Sequence, residues 1–103
     1  MEAFTLRVIQ TIQNIPAGKV MTYGQIAAQA GSPRAARQVA RLLHSMSAKH
    51  DLPWHRVINV AGRISFQDEN HRQTQKELLL GEGVVFTGMN VDLIRFRFDP
   101  GED

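Results

Sequence analysis

Thr22-Tyr23-Gly24-Gln25-Ile26-Ala27-Ala28-Gln29-Ala30-Gly31, followed at once by Ser32-Pro33-Arg34-Ala35-Ala36-Arg37-Gln38-Val39-Ala40-Arg41, is the stretch that decides the fold. The Thr22 side chain can cap the first free backbone N–H groups of a helix, and Gln25, three residues on, can reach back to it in a capping box. A helix therefore starts at Thr22, runs through Ile26-Ala27-Ala28 and stops at Gly31, a residue suited to the left-handed backbone that closes a helix. Ser32-Pro33 reads as a cap followed by proline at the first helical position, where its missing N–H costs nothing. A second helix is expected to begin there and extend to about Ser45. It would bury Ala36, Val39, Ala40 and Leu43 and leave Arg34, Arg37, Gln38 and Arg41 toward solvent or a ligand. Two short helices around one glycine, the second small inside and basic outside, match a helix-turn-helix. Many helical hairpins that bind nothing share this outline, and only the placement of the arginines favours a nucleic-acid reader.

Outward from this pair, Phe4, Val8, Ile9, Ile12 and Ile15 recur at helical spacing. They predict an amphipathic helix over about Ala3 to Gln13, ended by Pro16-Ala17-Gly18. Downstream, Ser47 to Leu52 reads as a polar connector to Pro53-Trp54-His55-Arg56-Val57, where the lone Trp is followed by an imidazole and a guanidinium. Arg56 to Val60 and Arg63 to Phe66, with Ala61-Gly62 between them, look like a hairpin, and a hairpin after a helix-turn-helix is a wing. Asn70-His71-Arg72-Gln73 offers the start of a helix through Thr74, Leu78 and Leu79, closed by Gly81-Glu82-Gly83. Val84-Val85-Phe86 reads as a short strand. Leu93 to Phe98 reads as a last strand, Phe inward and Arg outward, before a frayed acidic end. The expected class is mainly α with small β, a single winged helix-turn-helix domain over residues 1–103.

A chain of 103 residues with 43% hydrophobic and 21% charged content can bury one core without staples. It contains no cysteine, which removes thiol nucleophiles, thiolate metal sites and disulfides. No apolar run could span a bilayer, and Met1-Glu2-Ala3-Phe4 lacks the features of a signal peptide, so a cytoplasmic protein without membrane contact is expected. His44, His50, His55 and His71 fall in no metal-ligand spacing, so neither metal nor cofactor is expected. Charge is uneven: from Lys19 to Gln67 seven bases face a single acid, Asp51, while the flanks hold five bases and nine acids. Such asymmetry suits a polyanionic partner, although a charge run by itself is more often a solvated face.

Four segments then speak together: Val20-Met21-Thr22-Tyr23-Gly24-Gln25-Ile26-Ala27, Gly31-Ser32-Pro33-Arg34-Ala35-Ala36-Arg37, Pro53-Trp54-His55-Arg56-Val57-Ile58 and Leu78-Leu79-Leu80-Gly81-Glu82-Gly83. In order and spacing they resemble the DNA-binding, C-terminal domain of O6-alkylguanine-DNA alkyltransferases, over about Phe4 to Phe86. Those enzymes carry Pro-Cys-His-Arg-Val, whose cysteine takes the alkyl group from guanine, and Trp54 stands at that position here. The chain therefore looks like an alkyltransferase-like protein, the branch that binds the lesion without repairing it. The chemistry agrees, because dealkylation by that route needs an activated thiolate and an indole is no comparable nucleophile.

The resemblance implies roles position by position. Tyr23 matches the tyrosine that crowds the phosphate beside the target nucleotide and helps turn it out. Arg37 matches the arginine finger that fills the vacated space, a task suited to a planar guanidinium. Ser32, Pro33, Arg34, Ala35, Ala36, Gln38 and Arg41 fall on a recognition helix similar to one that lies in the minor groove. Val57 lies where main-chain carbonyls read guanine, and Phe66-Gln67-Asp68 would form the opposite wall of a pocket beside Trp54. His55 and Glu82 match the relay that activates the thiol, and without a thiol they are expected to be structural, holding the Trp loop. Two departures stand out: Met46-Ser47 replaces the family's asparagine-proline hinge, and Gln67 replaces a basic residue of some alkyltransferase-like proteins.

The expected function is a non-enzymatic damage sensor. It would bind O6-alkylguanine in double-stranded DNA, flip it into a pocket next to Trp54 and signal to nucleotide excision repair, through UvrA in a bacterium, acting as a monomer. Two alternatives stay open from the residues: a winged-helix regulator of fixed sequence, and a hydrolytic lesion-processing enzyme using His55 and Glu82.

Overall fold

The computed structural model describes residues 1–64 and 66–101. Helix α1 (Ala3–Gln13) buries Val8, Ile9 and Ile12, as its apolar stripe requires. Helix α2 (Tyr23–Gln29) opens with both halves of the capping box. Gln25 N–H donates to Thr22 Oγ1 at 3.1 Å, and Thr22 N–H donates to Gln25 Oε1 at 3.0 Å. Gly31, at φ +97°, closes it.

Helix α3 (Ala36–His50) departs from expectation at both ends. Ala35 N–H bonds back to Ser32 O at 3.0 Å, so Ser32-Pro33-Arg34-Ala35 forms a turn and Ser32 does not cap the helix. At the other end neither Gly nor Pro intervenes after Ser45, and the helix continues through Ala48 and Lys49, good helix formers, until Asp51 at φ 51° closes it. The polar connector expected over Ser47 to Leu52 is thus mostly the last turn of this helix. Val39 and Leu43 are buried, Ala36 is half-buried and Ala40 is exposed, so the small inner face is narrower than its pattern suggests.

The hairpin expected between Arg56–Val60 and Arg63–Phe66 is not formed. Strand β2 (Val57–Ile58) pairs in parallel with β1 (Met21–Thr22), in register Met21 with Val57 and Thr22 with Ile58. Both β2 side chains are buried, which suits a strand covered on both faces and not one arm of an exposed ribbon. The Asn59 side chain accepts from the N–H groups of Ala61 and Arg63, curling the chain. Arg63 then bridges Asn90 instead of folding back. Gly62 lies so close to the strand beyond that an added Cβ would sit 2.5 Å from Val91 O. Ser65, in the expected second arm, lies outside the described residues.

Helix α4 (Glu69–Gly81) starts one residue ahead of the expected Asn70, because Asp68 caps it by accepting from Asn70 N–H at 2.9 Å. The expected strand Val84–Phe86 is displaced: β3 (Phe86–Thr87) pairs with β4 (Asn90–Val91) in an antiparallel hairpin. The expected last strand begins instead as a helical turn, α5 (Leu93–Phe96), because Asp92 caps it through Ile94 N–H. Only at Arg97 does the chain extend, alongside Val20. The acidic end, Glu102-Asp103, lies outside the described residues.

Successive strand residues point to opposite faces, so the β1–β2 pair partitions two cores. Met21 and Val57 join the helical core of α1, α2 and α3, with Ile12, Ile15, Ile26, Val39 and Leu43. Val20 and Ile58 join a second core with Ile64, Leu79, Val84, Val91 and Phe96.

Candidate nucleic-acid interface

Trp54 opens a 3-10 turn (Trp54–Arg56) between α3 and β2. The turn is pinned from three sides. Glu82, just past α4, accepts from Arg56 Nη2 at 2.7 Å and Arg56 Nε at 3.0 Å, meets His55 Nε2 at 2.8 Å, and accepts from Gly18 N–H at 3.0 Å. Arg56 Nη1 donates to Ile15 O at 2.9 Å. Burial alone would raise the Glu82 carboxyl. The hydrogen bonds from Arg56, His55 and Gly18 and the nearby imidazole overcome it and hold the group down at about 2. From α4, Gln75 Nε2 donates to the carbonyls of His55 and Val57 at 3.1 and 3.0 Å, and the residue is 1% exposed.

With its successors held, Trp54 presents its half-buried ring to a cavity of about 250 Å³. Phe66 meets that ring edge-on at 6.0 Å. His71 meets it edge-on at 4.6 Å and stacks on Phe66 at 3.9 Å. Tyr23, Ala40 and Leu43 complete the apolar walls, and His44 and Ser47 reach in from α3. Burial raises the Tyr23 phenol above its ordinary value, so it stays neutral at physiological pH. Tyr23, Ala40 and Phe66 also line a second cavity of about 250 Å³, bounded by Val57, Asn59, Arg63 and Gln75.

Of the expected pocket residues, Tyr23, Trp54 and Phe66 meet around the first cavity, and Val57 lies at the second. The Val57 side chain is in the core, and its carbonyl already accepts from Gln75. Gln67 and Asp68 are not walls of either cavity. Asp68 caps α4, and the Gln67 backbone carbonyl accepts from Arg72. His55 and Glu82 are brought together in the hub under the turn, with Arg56 as a partner that spacing alone did not single out. Gln75, His71 and His44 were also missed. A signal existed for two of them: His71, Gln75 and Leu79 are four apart and share one face of α4, so the polar pair interrupts an otherwise inward stripe.

The basic face lies next to this site. Ser32, Pro33, Arg34, Ala35, Arg37, Gln38 and Arg41 line a shallow groove of about 580 Å³ along the turn and the start of α3, and Ala36 is half-buried behind it. The ion pairs among the described residues join His55 and Arg56 to Glu82 and Arg97 to Asp99, so Arg34, Arg37 and Arg41 keep their charges for another partner. No group of His, Asp and Glu among the described residues is arranged to hold a metal ion.

The family model described as 6-O-methylguanine DNA methyltransferase, DNA binding domain, matches residues 3–84. The chain belongs to this family. The match takes in α1 to α4, the Trp54 turn and Glu82. An Escherichia coli protein named DNA base-flipping protein is 46% identical over 99 residues, covering 95% of this chain and 76% of that one. Schizosaccharomyces pombe alkyltransferase-like protein 1 is 44% identical over 85 residues, 82% of this chain and 79% of that one. The crystal structure of S. pombe Atl1 in complex with damaged DNA containing O6-carboxymethylguanine superposes with a TM-score of 0.83 at 38% identity, covering 97% and 98% of the two chains. The family resemblance and the fold class, mainly α with small β like the C-terminal domain of the alkyltransferases, agree with these matches.

Proposed function

We propose that this chain is a non-catalytic sensor of O6-alkylguanine in duplex DNA, with Trp54 in the seat of the alkyltransferase cysteine. The observation that carries the reading is the open cavity beside Trp54, flanked by Tyr23 and Phe66 and adjoining the arginines of α3, which join none of the ion pairs among the described residues. The names and complexes of the relatives support it: a base-flipping protein in E. coli, and Atl1 bound to damaged DNA in fission yeast.

Arg34, Arg37 and Arg41 attract the phosphate backbone, an affinity that falls as salt rises. Tyr23 crowds the phosphate beside the lesion, the damaged nucleotide swings into the cavity, and Arg37 enters the gap it leaves. Flipping costs a few kcal/mol, least where pairing is already weakened, so the lesion itself supplies part of the selectivity. Stacking of a base on an aromatic face such as Trp54 is worth about 1–3 kcal/mol. These 103 residues contain no cysteine to receive the alkyl group. Glu82 is committed to Arg56 and Gly18 as well as His55, which favours a structural hub over an acid–base pair that hydrolyses the lesion. Signalling to nucleotide excision repair through UvrA, monomeric action and a cytoplasmic location belong to the same proposal.

A band-shift comparison of duplexes with O6-methylguanine or guanine at one position tests the reading. Preference for the methylated duplex is expected, with the alkyl group still on the DNA afterwards. Equal affinity for the two duplexes would sink the sensor.

A further inference from the structure

The cavity beside Trp54 has apolar walls and two imidazoles that the proposed flipping mechanism leaves idle. His44 reaches it from α3 and His71 from the first turn of α4. The His71 ring lies 6° from parallel with Phe66 and 76° from Trp54, so its plane is set by two aromatic neighbours. Among the described residues, the one imidazole in a hydrogen bond is that of His55. The Ser47 hydroxyl is already committed to the Leu43 carbonyl, and no Lys or Arg lines this cavity. The polar side chains that line the cavity and stay available to a group entering beside Trp54 are therefore the two imidazoles and the Tyr23 phenol.

Resting on the sensor reading, we propose that His71, assisted by His44, makes the cavity discriminate between O6 substituents. Those that end in a hydrogen-bonding group, such as hydroxyalkyl and carboxyalkyl chains, are favoured over plain alkyl chains of the same size. A neutral imidazole carries one N–H donor and one acceptor nitrogen, so it can meet a hydroxyl in either sense and a carboxylate through its N–H. Sites that pair a ligand's polar group reject the analogue lacking it, because their own polar atoms are then buried without a partner. A phenyl ring at position 71 would stack on Phe66 equally well but could not do this.

The test uses two duplexes that differ in one non-hydrogen atom, O6-(2-hydroxyethyl)guanine and O6-n-propylguanine, with a plain guanine duplex as reference and fluorescence anisotropy as readout. Wild type is expected to bind the hydroxyethyl duplex about tenfold tighter than the propyl duplex, the factor that one neutral hydrogen bond commonly supplies. His71→Phe is expected to bring the ratio within about twofold, and His44→Leu to reduce it less. His71→Leu provides the same comparison should the Phe variant fold poorly. A wild-type ratio near one, or a ratio unchanged in the His71 variants while lesion binding persists, overturns this assignment alone. Wild type binding all three duplexes equally overturns the sensor reading with it.

Discussion

Replacing Glu82 with Gln keeps the side chain's shape and removes its charge, leaving the Arg56 guanidinium, only 19% exposed, without the one carboxylate it pairs with among the described residues. The Gln amide can still accept from Gly18 or Arg56 through its oxygen. Its NH2 then faces the donors of Arg56 Nη2 or the ring of His55, where the carboxylate had accepted at 2.7 Å and met Nε2 at 2.8 Å. Breaking a fully buried ion pair from one side costs about 3–5 kcal/mol. At 17% exposure solvent screens part of this, and we expect about 2 kcal/mol at pH 7.

The pH dependence gives a second handle on the same number. A carboxyl held near 2 in the folded protein is depressed below its unfolded value of about 4.3, so it favours folding when ionised. Its contribution is complete above about pH 4.5 and is lost as pH falls through the interval down to 2. Urea unfolding followed by far-UV circular dichroism at pH 7, 5, 3.5 and 2.5 should therefore give a gap between wild type and Glu82→Gln that is constant from pH 7 to 5. Below that the gap should narrow toward zero, where protonated Glu and Gln become equivalent. With about 1–3 kcal/mol per molar urea for a domain of this size, the midpoints should differ by about 1 M at pH 7. A gap under about 0.5 kcal/mol at pH 7, or one as wide at pH 2.5 as at pH 7, would refute the assignment of Glu82 as the electrostatic anchor of the Trp54 turn.

Three other outcomes are expected. Arg37→Ala should weaken binding to a lesion duplex at least tenfold and Lys49→Ala only about two- to threefold, measured by anisotropy at fixed salt, because only Arg37 is assigned to the opened stack; similar losses would mean that the arginine acts as a point charge. Gly62→Ala should lose about 2–3 kcal/mol in urea unfolding, because Gly62 has φ +75° and its new Cβ would meet Val91 O, and a loss below about 1 kcal/mol would show that the contact relaxes freely. Gln75→Leu leaves the His55 and Val57 carbonyls without their donor, so a cost of about 1–3 kcal/mol is expected, together with faster amide exchange around the turn; a neutral effect would mean that the buried amide contributes little.

The parts of the fold that could be read from sequence are those whose determinants are local. The Thr22/Gln25 capping box, Gly31 and the spacing from Val8 to Ile12 each act within a few residues, and α1 and α2 stand where they were expected. The misplaced elements depend on distant partners. Val57–Ile58 resembles a hairpin arm until Met21–Thr22, far back in the chain, takes it in parallel. Leu93 to Phe98 alternates like a strand, yet the Asp92 cap outweighs the alternation for one helical turn. Around the cavity, Trp54, Tyr23 and Phe66 are reached through the family resemblance and not from the residues alone. His71 and Gln75 look like ordinary helix polar residues until their face of α4 is seen to be turned toward the Trp54 turn.

The side chains of His55, Arg56, Val57 and Ile58 each have a destination elsewhere in the molecule: Glu82, Glu82 with the Ile15 carbonyl, and one core apiece for the two aliphatics. Position 54 alone turns part of its side chain to the cavity, like an exchangeable bit in a tool whose chuck is already tightened. A panel of residues written at that one codon, with everything around it untouched, would isolate what a chosen functional group does to an extruded nucleotide.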